Sequence, residues 1–106
     1  MGKYIVAISP RERQSVTVYC ASNNSSEGAL DFVLDFMEDV NFFYRNKVFF
    51  DSMLKTDNKS FLKHIKRLYQ RKCKTAISFT LSFLYKADME DFVENFYEFL
   101  DTDDLY

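Results

Sequence analysis

The clearest pattern along the chain is a strict alternation of large apolar and small hydroxyl side chains between Ile77 and Phe83. Successive side chains of a β-strand point to opposite faces of a sheet, so one face of this strand must be buried. We predict a strand over residues 75–86. Two shorter β-branched and aromatic runs, residues 3–9 and 15–21, flank a polar turn and predict an N-terminal β-hairpin.

Three further segments carry apolar residues at helical spacing. The first extends to about Val40, the second ends near Cys73, and the third begins at Asp88. The predicted N-terminal caps of these helices are Ser25 or Ser26, Asp57 or Ser60, and Asp88. The stripes expected to face the core are Leu30, Val33, Met37 and Val40; Phe61, Leu62, Ile65, Leu68 and Tyr69; and Met89, Phe92, Val93, Phe96, Tyr97 and Leu100.

Residues 41–55 fit two different structures. Aromatic residues on both sides of Arg45-Asn46-Lys47 resemble two strands around a turn, whereas a continued helix would align them on one stripe. Aromatic β-propensity favours a second hairpin near 41–50.

The expected fold is therefore α+β, a small antiparallel sheet packed against three helices. We predict a single domain, 1–106, with a frayed acidic tail at 101–106.

Composition restricts the class of protein. The chain has 106 residues, of which 47% are hydrophobic and 28% charged, with two Gly and one Pro, and this profile excludes collagen-like and disordered classes. The apolar run before Pro10 is too short for a signal peptide, and no apolar stretch is long enough to span a bilayer. Cys20 and Cys73 form no C-x-x-C pair. We therefore expect a cytoplasmic protein with reduced thiols and no contact with a membrane.

Charge is separated along the chain. The net charge is −2, yet residues 58–86 carry +8 with no acidic residue, and residues 87–106 carry −8 with no basic residue. Basic side chains at helical spacing could hold phosphate oxygens, and spaced carboxylates on a rigid helix could imitate a phosphate backbone. Each block is also typical of an ordinary solvated helix face. The candidate partner-binding residues are Lys63, Lys66, Arg67 and Arg71 on the basic side, and Glu90, Glu94 and Glu98 on the acidic side.

The twelve phenylalanines exceed what a core of this size is expected to enclose, because a domain this small leaves much of its surface exposed. We predict that Phe49 and Phe50 are contact anchors in an exposed aromatic patch. Tyr69 belongs to the apolar stripe of its helix rather than to its basic side, and this placement argues against base stacking there.

Residues for catalysis and metal binding are scarce. His64 lies among lysines without a carboxylate close in sequence, and Cys73 is the best remaining candidate for a reactive thiol. No Cys/His cluster, calcium loop or glycine-rich phosphate loop is present. We expect no enzyme activity, no metal and no cofactor.

Together these properties favour a non-enzymatic protein that binds a surface of another macromolecule. In general properties rather than in a motif, this small, acidic chain rich in Phe and Lys resembles the accessory proteins with which bacteriophages inhibit host enzymes or defence systems. The resemblance implies an inhibitor or modulator with a protein partner. The alternative is a module that binds nucleic acid or a nucleotide through the basic helix 59–74. A homodimer in which opposite charge blocks of two copies pair is a further expectation.

Overall fold

The computed structural model describes residues 4–11, 14–23, 25–50, 58–70 and 72–96. These residues form four strands and three helices. In chain order the elements are β1 (Tyr4–Arg11), β2 (Ser15–Ser22), α1 (Ser26–Phe43), β3 (Val48–Phe50), α2 (Lys59–Tyr69), β4 (Thr75–Phe83) and α3 (Lys86–Glu94).

The four strands form one sheet in the order β1-β2-β4-β3, and all neighbours are antiparallel. β1 and β2 form the predicted hairpin, with Ile8 opposite Val18. β4 lies between β2 and β3. It contains the alternating residues for which the sequence predicts one buried face. The α+β prediction is confirmed.

One face of the sheet holds the main core. Val16, Val18 and Cys20 of β2 lie beside Leu81, Phe79 and Ile77 of β4 in the register of the two strands, and all six are buried. α1 and α3 cover this face, chiefly through Phe36 and Phe92, whose rings lie 6.4 Å apart in an edge-on arrangement. Such aromatic pairs add stability beyond the area that they bury. The α1 and α3 helices therefore lie on the same side of the sheet.

α2 packs on the opposite face. Its Ile65 joins a second cluster with Ala21 of β2 and Cys73, and the ring of Phe61 lies 5.1 Å from that of Tyr19. Ala21 and Tyr19 alternate with the β2 residues of the main core, so their side chains point to the other face. The sheet thus separates α2 from α1 and α3.

The second hairpin predicted near 41–50 does not form. α1 continues through Phe43, and Arg45 and Asn46 then take positive φ values of 58° and 63° that end the helix. Val48–Phe50 is a strand, but it pairs with β4 rather than with the preceding aromatic residues. Local β-propensity was outweighed by the burial of Tyr44 and Val48 in the main core.

The helix boundaries correct several details of the prediction. Ser25 caps α1 as predicted, accepting a hydrogen bond from the Gly28 N–H, but Asn58 rather than Asp57 or Ser60 caps α2. β4 ends at Phe83 rather than at the predicted residue 86, because α3 already begins at Lys86, two residues before the predicted cap Asp88. The N-cap of α3 makes no side-chain hydrogen bond. The exposed members of the predicted stripes are Leu30, Leu68 and Tyr69. Tyr97, Leu100 and the acidic tail 101–106 lie outside the described residues.

Both cysteines are buried and free of disulfide bonds. Burial of Cys73 removes the exposure that a reactive thiol needs. Within the described ranges, no helix is both long and apolar enough to cross a bilayer.

Candidate functional site

The sheet divides the helices by charge. Every charged side chain of α1 is acidic, α3 has four carboxylates against one lysine, and every charged side chain of α2 is basic. Among the described residues, the one ion pair joins Lys86 to Glu90 within α3 at 3.9 Å, and none joins α2 to the other helices. Among the described residues, the cations of α2 therefore lie across the sheet from the carboxylates of α1 and α3 and do not pair with them.

The acidic side combines α1 with α3. Its exposed carboxylates on α1 are Glu27, Asp31, Asp35, Glu38 and Asp39, and those on α3 include the predicted site residues Glu90 and Glu94. Asp31, Asp35 and Glu38 follow helical spacing, so their side chains form one row along the solvent side of α1. We call this set of α1 and α3 carboxylates the acidic face.

Phe42 ends that row. It follows Glu38 by four residues, which places it on the same side of the helix, and 87% of its surface is exposed. Leu34 borders the row and is also exposed. An exposed phenylalanine beside a row of carboxylates supplies apolar contact area where the charges would meet a partner.

The basic side consists of α2 and the residues that follow it. Lys59, Lys63 and Lys66 align at helical spacing, Arg67 widens the row, and all four are exposed. We call these residues the basic face. Tyr69 lies three residues after Lys66 and is 53% exposed, so a tyrosine borders the cations despite the prediction that it belongs to the buried stripe.

The predicted anchors Phe49 and Phe50 lie on β3, at one edge of the sheet. Their side chains point to opposite faces, with 51% and 43% of their surfaces exposed. Phe50 stacks on Phe79 at 5.9 Å on the main-core side, whereas Phe49 lies opposite Ser82 on the other side. The two anchors therefore form the rim of the sheet rather than one flat patch.

A small open cleft of about 260 Å³ lies where α1 ends and α3 begins. It is lined by Phe43, Tyr44, Arg45, Lys47, Asp88 and Asp91. The Tyr44 hydroxyl donates a hydrogen bond of 2.9 Å to Asp91 Oδ2, and Asn95 donates to the other carboxylate oxygen at 3.1 Å. The cleft is too small and open for a typical small-molecule site. Its hydrogen bond between Tyr44 and Asp91 instead connects the end of α1 to α3.

Replacement of Tyr44 by phenylalanine is expected to lower the free energy of unfolding by about 1 kcal/mol, because the hydrogen bond to Asp91 is removed and the buried ring is kept. Urea denaturation measures the change. Tyr85→Phe is the matched control, since Tyr85 is half exposed and should leave stability unchanged. Equal effects in both variants would contradict the structural role of the Tyr44 hydroxyl.

Comparison with protein-family models, curated protein sequences and solved structures finds no match. Within the part of the chain that the structure describes, no group of three or more His, Cys, Asp or Glu side chains could hold a metal ion.

The structure groups some of the predicted site residues and separates others. Lys63, Lys66 and Arg67 lie together on α2, whereas Glu90 and Glu94 lie across the sheet on α3. Arg71 and Glu98 lie outside the described residues. Phe42 is not among the predicted contact residues, because the predicted first helix ends near Val40. A helix that continues to Phe43 places Phe42 four residues after Glu38, in line with the acidic row.

Proposed function

We propose that this protein is a non-enzymatic inhibitor or modulator that binds a surface of another protein in the cytoplasm. The observation that supports the proposal is the acidic face, whose α1 row of carboxylates forms no ion pair with any described residue and ends at the exposed ring of Phe42. Such a surface is complementary to a basic, nucleic-acid-handling surface of a partner. The carboxylates would direct and accelerate the encounter, and Phe42, at the end of their row, would fill an apolar pocket of the partner.

Capture from a lysate of the native host tests this proposal. We expect the wild-type protein to retain a basic partner at physiological salt and to release it when soluble double-stranded DNA is added, because the DNA would occupy the same basic surface. A variant with Asp31→Asn, Asp35→Asn and Phe42→Ser should lose most of this retention.

The matched control for that experiment carries Lys63→Gln and Lys66→Gln on the opposite side of the sheet. This control should retain the partner, since its acidic face is intact. If the acidic-face variant retains the same proteins as the wild type, or if no protein is retained selectively, the proposal fails.

A second candidate function is the binding of single-stranded nucleic acid by the basic face. The exposure of Tyr69 beside Lys66 favours it, because a base can stack on a ring that borders the cations holding its phosphates. The net charge of −2 weighs against it, since nucleic-acid-binding domains usually carry a net positive charge. We therefore rank this candidate second.

A further inference from the structure

α2 packs on the sheet through one side and leaves its other side exposed. Ile65 is buried beside Ala21 of β2. Lys63 and Arg67 each lie two residues from Ile65, which is about 200° around the helix, so both side chains point away from the sheet. The four cations of the basic face are exposed, and none of them forms an ion pair with a described residue.

α1 carries the opposite charge on its outer side. Val33 and Val40 are buried in the main core. Asp31, Asp35 and Glu38 each lie two residues from one of these valines, so they too point about 200° away from the buried side of their helix. These carboxylates are exposed and form no ion pair with a described residue. Because the sheet lies between the two helices, the carboxylates of α1 cannot reach the cations of α2 within one copy.

The two rows of charge have the same spacing. The carboxylates of α1 occupy positions 31, 35 and 38, and the cations of α2 occupy positions 59, 63 and 66, so both rows advance by four and then by three residues. Each row is about 10 Å long, since a helix rises by about 1.5 Å per residue. When an α1 helix and an α2 helix lie side by side in the same direction, each carboxylate therefore lies opposite a cation.

An aromatic residue marks the same end of both rows. Phe42 follows Glu38 by four residues and is 87% exposed, and Tyr69 follows Lys66 by three residues and is 53% exposed. In the parallel arrangement the two rings differ in height by one residue, or about 1.5 Å along the helix axis. In the antiparallel arrangement Phe42 would lie beyond the beginning of α2. Only the parallel arrangement adds an aromatic contact to the pairing of charges.

We infer that α1 of one copy of this chain binds α2 of the next copy, side by side and in the same direction, so that copies associate in series. A copy that binds through α1 still presents α2 to a further copy, because the sheet separates the two helices. A head-to-tail contact between surfaces that face apart does not close with two copies. The sequence suggests a homodimer in which opposite charge blocks pair, and the position of α2 across the sheet makes this pairing open-ended.

The association is expected to be weak and sensitive to salt. A contact between two single helices is smaller than a stable interface, which buries about 1,200 Å² or more. Exposed ion pairs each contribute little, and the Debye length falls from about 10 Å at 0.1 M salt to about 3 Å at 1 M. Copies should therefore associate at low salt and high protein concentration and separate at high salt.

The inference goes beyond the proposed function and does not depend on it, since it needs only copies of this chain. The two do share the acidic face. A basic target would bind this face in place of the next copy, so a target of higher affinity would separate the copies. Association in series would thus keep the acidic face covered until such a target is present.

Sedimentation of the purified protein over a wide range of concentration tests the inference. At low salt the average mass should rise with concentration past twice the 12.6 kDa of the chain, without a plateau at two copies. In about 1 M salt the mass should return to 12.6 kDa, because the charges are screened.

Two variants each neutralise one row of charge. The changes are Asp31→Asn, Asp35→Asn and Glu38→Gln in the first variant, and Lys63→Gln, Lys66→Gln and Arg67→Gln in the second. Each variant alone should associate at least about tenfold more weakly than the wild type, because three exposed ion pairs are lost. A mixture of the two should form a complex with one copy of each and grow no further. The first variant keeps only its basic face, and the second keeps only its acidic face.

The matched control removes three cations outside α2, through Arg45→Gln, Lys47→Gln and Lys86→Gln, and should associate like the wild type. A mass of 12.6 kDa at every concentration in low salt would overturn the inference. A wild-type mass that stops at two copies, a mixture that grows beyond one copy of each variant, or an equal loss in the control would also overturn it. Because only purified protein is present, none of these outcomes decides whether the acidic face binds a target.

Discussion

Replacing Phe92 with alanine is expected to lower the free energy of unfolding by about 3–5 kcal/mol, a large part of the total stability of a domain of this size. Phe92 is fully buried and connects α3 to β4 and to α1 in the main core. Its ring lies 5.3 Å from that of Phe83 on β4 and 6.4 Å from that of Phe36 on α1. Truncation leaves a cavity at the point where all three elements meet.

Chemical denaturation of the Phe92→Ala variant measures this change. Phe42→Ala is the matched control, because Phe42 is the most exposed of the large apolar residues described and its truncation should change stability by at most about 0.5 kcal/mol. If the two variants are equally stable, the assignment of α3 to the main core is wrong. In that case α1 and α3 would not share one core, and nothing would hold their carboxylates together as the acidic face.

The largest expected effect on binding concerns the basic face. We expect the wild type to bind a short single-stranded oligonucleotide at low salt despite its net charge of −2, because the cations of α2 are separated from the carboxylates by the sheet. Neutralising Lys63, Lys66 and Arg67 with glutamine should abolish this binding at moderate salt. The slope of log affinity against log salt should fall by about two units, because each of the three cations that no longer neutralises a phosphate of a single strand contributes about 0.7.

The control for this prediction removes the same amount of charge elsewhere. Changing Arg45, Lys47 and Lys86 to glutamine also takes the net charge from −2 to −5, but none of these residues belongs to α2. Fluorescence anisotropy at several salt concentrations compares the two variants. If both bind equally weakly, the net charge decides binding and the basic face has no separate effect. If the wild type does not bind, the second candidate function is excluded.

The parts of the fold that the sequence could predict are those determined by local pattern. Alternation between Ile77 and Phe83 identified β4, helical spacing identified α2, and the hydroxyl of Ser25 marked the beginning of α1. The parts it could not predict depend on distant partners. β3 pairs with β4 more than thirty residues later in the chain, and no local pattern could distinguish that pairing from a hairpin with residues 42–44.

The sequence by itself determined the amounts of charge, their separation into blocks and the apolar side of each helix, because all of these follow from residue order and the periods of helix and strand. Only the tertiary structure decided which side of the sheet each helix covers. Periodicity states that a helix has an apolar side, but any apolar surface of suitable shape can bury it. Because α2 lies on the opposite side of the sheet, its cations are kept away from the carboxylates of α1 and α3. Because β3 lies at the edge of the sheet, Phe49 and Phe50 are exposed.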